Sequence, residues 1–123
     1  MLLSDIYKTA AALISERQDG ADNADLRERS LYLLYQIVCG FIPLERAIGD
    51  EDAPYPAIFT SLDQSFPLSD ELAHLCAYKL AYLLIADENT VLCATLRSEF
   101  EQCRRDFIDS LQASVSGTVN VYP

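Results

Sequence analysis

Basic residues are scarce in this chain. Nine lysines and arginines stand against nineteen aspartates and glutamates, for a net charge of −10. A protein that grips nucleic acid needs clustered cations to neutralise phosphates. The densest basic site, Arg104-Arg105, is flanked by Glu101 and Asp106, which argues against such a grip. Histidine occurs once, as His74. Cys76 lies two positions on, and helical residues at that spacing point in different directions, so the pair cannot readily share a metal or act as nucleophile and base. Glycine is sparse and scattered at Gly20, Gly40, Gly49 and Gly117, which leaves no glycine-rich phosphate cradle. Cys39, Cys76, Cys93 and Cys103 follow neither a zinc nor a disulfide spacing. They sit among apolar helical residues, where free cysteine behaves as a small hydrophobe. No uninterrupted apolar run approaches the ~18 residues that span a bilayer. Met1-Leu2-Leu3 runs straight into Ser4-Asp5, without the regions of a signal peptide. These absences nominate no catalytic, cofactor-binding or metal-binding residue. The expectation is a non-enzymatic protein without cofactor, made in a reducing cytoplasm.

What is present is hydrophobicity. Half of the 123 residues are apolar, and a chain this long buries roughly two-thirds of its unfolded surface. Ser4 is placed to cap a first helix carrying Ile6, Ala10, Leu13 and Ile14 at helical spacing, with Gly20 as its stop. A second helix starts near Asp22 or Asn23. It turns apolar almost all round from Leu31 to Cys39, the mark of burial on more than one side. Gly40 and Pro43 should break or kink it, leaving one or two turns over Leu44-Glu45-Arg46-Ala47-Ile48. From Gly49 to Ser69 the prolines predict a long loop, opening on Asp50-Glu51-Asp52 and tacked down by Ile58, Phe59, Leu62 and Phe66. Loops beyond about 12–15 residues are uncommon in compact domains and often functional.

Ser69 followed by Asp70-Glu71 is the best helix start in the sequence. The third helix runs to about Ala86 as the central core helix, with Ala73, Ala77 and Ala81 forming a stripe that admits a close neighbour. Asp87-Glu88-Asn89 makes a tight turn, and Asn89 or Thr90 caps a fourth helix with the stripe Leu92, Leu96, Phe100, Cys103, Phe107 and Leu111. Tyr32, Tyr35, Tyr78 and Tyr82 read as packing or interface residues, and Asp50, Glu51, Asp52 and Asp63 as solvated acids. At the end, Val115, Gly117, Val119 and Val121 alternate with polar neighbours up to Tyr122 and Pro123, a strand period. A lone strand has no partner in its own chain, and adding it to another protein's sheet would satisfy its backbone. The expected architecture is all-α: a bundle of about four helices over residues 1–112, with a long central loop and an extended, strand-like arm over 113–123.

The segments Phe66-Pro67-Leu68-Ser69-Asp70-Glu71-Leu72, Ala77-Tyr78-Lys79-Leu80-Ala81-Tyr82-Leu83-Leu84 and Ala86-Asp87-Glu88-Asn89 carry a family likeness. So do the amphipathic last helix and Leu31-Tyr32-Leu33-Leu34-Tyr35 followed by Pro43-Leu44-Glu45-Arg46. Over roughly residues 1 to 112 the chain resembles the small helical head–tail connector (adaptor) proteins of tailed bacteriophages. The resemblance implies a virion protein of the neck: a ring of about twelve copies under the portal, joining capsid to tail. Its partners would be the portal, neighbouring copies and a downstream neck or tail protein, with DNA passing through unbound and no membrane involved. The arm, with Val115, Gly117, Val119, Val121, Tyr122 and Pro123, would dock on the portal. Asp50, Glu51 and Asp52 would face the channel, where a ring that multiplies the charge of −10 repels DNA. The alternatives are a stopper or tail-completion ring protein, or a small cellular adaptor that binds a partner through apolar helix faces.

Overall fold

A computed structural model describes residues 1–15, 24–49 and 51–119, the backbone alone at 15, 24 and 112–119. Four α-helices follow in order: α1 (Leu3–Ser15), α2 (Ala24–Ile48), α3 (Ala73–Leu84) and α4 (Thr90–Val119). A single 3₁₀ turn, Asp70–Leu72, leads into α3. The protein is a small all-α bundle, and among the described residues there is no strand, only an isolated antiparallel bridge between Leu2 and Ser65. The alternation expected of a terminal strand gives way to helix as far as Val119. A helix satisfies its backbone within its own segment, whereas a lone strand needs a partner edge. Val115, Gly117 and Val119 therefore lie on α4, and Val121, Tyr122 and Pro123 lie outside the described residues.

The central helix is α3, which packs against α1, α2 and α4. Leu75, Cys76, Ala77, Leu80, Ala81 and Leu84 are all buried, so three sides of this helix are covered. The alanine stripe admits α1: Ala73 and Ala77 share a small cleft with Ile6 and Thr9. Leu3, Ile6, Tyr7, Ala10 and Ile14 form the buried face of α1, while Leu13 is half-buried at its margin.

Ser4 does not cap α1, because the helix already begins at Leu3. Its early N–H groups are bonded by the central loop: Leu3 donates to the Gln64 carbonyl at 2.9 Å and Ser4 to that of Leu62 at 2.8 Å. Asp5 Oδ2 reaches back to accept the Leu2 N–H at 2.8 Å, the reciprocal half of a capping box. The Phe66 N–H in turn donates to the Met1 carbonyl at 2.8 Å. The orphan donors of a helix start and a long loop thus solve one another's hydrogen-bonding problem.

The expected break in α2 is absent: the helix runs unbroken through Gly40 and Pro43 to Ile48. Both residues are exposed, so the proline ring meets solvent, and the loss is the one N–H that would bond the Cys39 carbonyl. Burial of Leu34, Ile37, Val38, Phe41 and Ile42 on the opposite side outweighs that local cost. This helix is also long and apolar enough, by length and composition, to cross a membrane, a property that no uninterrupted run of the sequence announces. Its core-facing side is nonetheless covered by protein, and Arg27, Glu28, Arg29, Glu45 and Arg46 punctuate it. Arg29 Nη2 donates to the Leu84 carbonyl at 3.4 Å, placing a cation at the C-terminal end of α3, where the helix dipole favours one.

Asn89 is the cap of α4, its Oδ1 accepting the Leu92 N–H at 3.0 Å. Replacing it with alanine should cost about 1 kcal/mol, read as a lower urea midpoint at unchanged slope. A shift below a quarter of that would show that water replaces the cap.

Candidate functional site

Besides its bonds to the start of α1, the long loop is fixed at its start, middle and end. At its start, Arg46 Nε donates to the Ala53 carbonyl at 3.0 Å and the guanidinium lies 5.1 Å from the centre of the Tyr55 ring. In its middle, Phe59 is buried and meets Tyr35 edge-on, ring centres 6.0 Å apart. Gln64 Oε1 accepts the N–H groups of Thr60 and Ser61 at 2.7 and 2.9 Å. At its end, Glu45 in the last turns of α2 is buried. Its Oε1 accepts the Ser69 hydroxyl at 2.7 Å, and both its oxygens receive the Ser69 N–H at 3.2 Å. Ser69 therefore serves this carboxylate and makes no side-chain cap to its own helix.

Of the residues expected to tack the loop down, Phe59 and Phe66 are buried and Leu62 half-buried, but Ile58 is 66 % exposed. Glu51 and Asp52 sit in an exposed turn, and Asp50 lies outside the described residues. Of the residues expected to form the arm, the structure describes only the backbone of Val115, Gly117 and Val119, on α4.

His74 is exposed and stacks edge-on with Tyr78, ring centres 4.8 Å apart, while Cys76 faces the core. Burial pushes the Cys76 thiol up to about 12 against a smaller opposing pull from Lys79, so it stays a neutral thiol at physiological pH. Cys93 donates its thiol to the Tyr82 carbonyl at 3.3 Å. Tyr78 and Tyr82 are raised chiefly by burial, and Tyr35 chiefly by its hydrogen bond with Cys39. None supplies a phenolate base. Among the described residues no three of His, Cys, Asp or Glu converge as metal ligands.

Among the described residues, open surface clefts include two of more than 500 Å³. One, of about 510 Å³, lies where Asp25, Glu28, Arg29 and Tyr32 of α2 meet Leu83. The other, of about 520 Å³, is bounded by Ser4, Lys8, Arg27 and the loop at Ser61 and Asp63. Neither gathers a nucleophile, base and orienting group within reach of one another.

The structural feature with most bearing on assembly is α4. Its stripe is buried at Leu92, Leu96 and Phe100, yet no residue of 101–111 is buried. The reason is length: twelve residues make α3 about 18 Å long, and thirty make α4 about 45 Å. As the helices run back from a tight turn, α4 outruns its partner: Cys103 and Phe107, half-buried, still pack against the edge of the core, and Ile108 and Leu111 are half-buried as well.

These features define a small helical bundle with a projecting helix and a strapped loop. No family model, curated protein or solved structure matches the chain.

Proposed function

We propose that this chain is a structural subunit, without catalytic activity, of the head–tail connector of a tailed bacteriophage. It assembles side by side with copies of itself into a ring under the portal, in the virion neck. The ring joins the portal to a downstream neck or tail protein and lets DNA pass without binding it. Synthesis takes place in the host bacterial cytoplasm, and no membrane is involved.

The observation that carries this reading is the overrun of α4. A helix that carries its apolar stripe past its last fully buried turn, leaving Cys103, Phe107 and Leu111 only half covered, offers neighbouring subunits a surface to cover, and a head-to-tail contact of that kind closes into a ring when its rotation permits. The excess of acid supports a channel wall that DNA does not adhere to. Glu51 and Asp52, exposed in their turn, would contribute to it together with Asp50. The end of α4 and the residues after it would reach the portal.

Quantitative mass spectrometry on purified particles from the source of the chain tests the proposal. About a dozen copies per particle, in fixed ratio to the portal, is the expected result for a closed ring of this kind. Absence from clean particles would sink it and leave a cellular adaptor as the better reading.

A further inference from the structure

Between Arg29 and Glu45 no residue of α2 is charged, in a chain where 23 % of residues are. That stretch is not all interior. Tyr32, Gln36, Gly40 and Pro43 recur at helical spacing along one line of the helix, and all four are exposed, Tyr32 by 63 %. Depletion of charge and an exposed tyrosine are the compositional marks of an interface core.

The line is bulky at one end and hollow at the other. A Cβ built at Gly40 would meet nothing within 4 Å among the described residues. The fold therefore has room for a side chain there, and glycine inside a helix is less stable than alanine. The missing side chain leaves a shallow hollow beside the Pro43 ring, about three turns from Tyr32 on the same face. Charge is divided in the same way. Glu28, which borders one cleft with Asp25 and Tyr32, stands at one end, and Arg46 in the last turn of α2 stands at the other. Glu28 and Arg46 are about five turns apart and so lie on the same flank of the line.

These features match when the line is turned end for end onto a copy of itself. A two-fold axis lying between the copies, across the helices, brings each flank against the same flank of the other copy. Set at the level of Ile37, it brings Glu28 opposite Arg46 of the second copy and Tyr32 opposite the second copy's hollow at Gly40 and Pro43. Both pairs are centred at that level, so one axis satisfies both, and Gln36 sits beside it, where an amide can bond its counterpart. We infer that a second copy of this chain docks antiparallel on α2, each Tyr32 seated in the other's Gly40 and Pro43 hollow. A partner of opposite charge would be drawn to the acidic surfaces elsewhere. A neutral line suits a neutral counter-face, and this line supplies one itself. The contact is isologous and is not the repeating contact of a ring. It belongs to the free protein and stands apart from the connector reading.

Sedimentation of the full chain over a range of concentrations tests the inference, and a reversible monomer–dimer equilibrium is expected. Tyr32→Ala and Gly40→Leu should each weaken the dimer by at least about tenfold, one by emptying the hollow and the other by filling it. Gly40→Leu should melt no lower than the parent when both are monomeric, since the added side chain has room and favours helix. Tyr32→Ala chains mixed with Gly40→Leu chains should form a mixed dimer tighter than either variant's own. In that dimer one native contact is kept, and the other sets a small residue against a large one. Gln36→Arg, which brings two cations together beside the axis, should also weaken the dimer and serves if another variant fails to fold. A monomer at every concentration, an unweakened Gly40→Leu, or a mixture no tighter than its two components would each overturn the inference. Absence from particles combined with a dimer of these properties would sink the connector and keep the pairing.

Discussion

Phe100→Ala is expected to destabilise the protein by about 3–5 kcal/mol, the range for removing a buried phenylalanine. Phe100 is 3 % exposed and stands at the last buried position of α4 among the described side chains. It meets Phe41 of α2 edge-on at 6.4 Å between centres and Tyr82 of α3 at 5.7 Å, with the Lys79 ammonium 5.8 Å from its centre. One side chain thus links three helices, and its loss would leave a cavity that none of them can close alone. Whole domains are stable by only about 5–15 kcal/mol, so the variant should sit near the edge of folding. Thermal melts should fall by roughly 12–20 °C, taking about 4 °C per kcal/mol at this size. Phe100→Leu, which keeps much of the volume, should recover a good part of the loss. A shift under 1 kcal/mol for the alanine variant would mean that α4 is not seated on this ring.

Glu45→Ala should cost about 1.5–3 kcal/mol, the usual worth of hydrogen bonds to a charged group. The carboxylate is 7 % exposed and accepts both the N–H and the hydroxyl of Ser69. Alanine removes the contact that ties the start of the 3₁₀ turn to the far end of α2, and strands two donors in a half-buried place. Ser69→Ala, which keeps the N–H bond, should cost less than Glu45→Ala. The double variant should cost clearly less than the two singles added, since one interaction cannot be lost twice. Urea titration of all four proteins checks this, and strict additivity would show that the pair contributes nothing as a pair.

Much of the bundle was legible because each signal was local and agreed with its packing. Ala73, Ala77 and Ala81 mark a close helix contact by size alone, Asn89 marks a cap by chemistry, and the run of prolines after Gly49 rules out a continued helix. Failures came where a local signal met a tertiary one. Pro43 reads as a breaker, but it faces water while Phe41 and Ile42 beside it are pinned in the core, and packing overrides propensity. Val115, Gly117 and Val119 have a strand's period, yet helix needs no second chain to complete its hydrogen bonds. Ile58 was expected inside because it is apolar, and it is outside because Ala53 and Phe59 already anchor the loop. The Glu45–Ser69 contact joins residues 24 positions apart, and no spacing rule within one helix or strand reports such a pair.

The way α1 begins also sets an order of events during synthesis. Its first N–H groups find their partners at Leu62 and Gln64, about sixty residues later in the chain. Until the ribosome has delivered that segment, the Leu3 and Ser4 N–H groups have only water to bond to. Closing a loop of that length carries an entropy cost that rises as about (3/2)RT ln n, and contacts of long sequence separation form slowly. The α3–α4 hairpin, joined by a short turn, closes quickly once it has emerged. Although α1 is made before the other three helices, it is therefore among the last to be secured, and the alanine face of α3 stands open until α1 arrives to cover it.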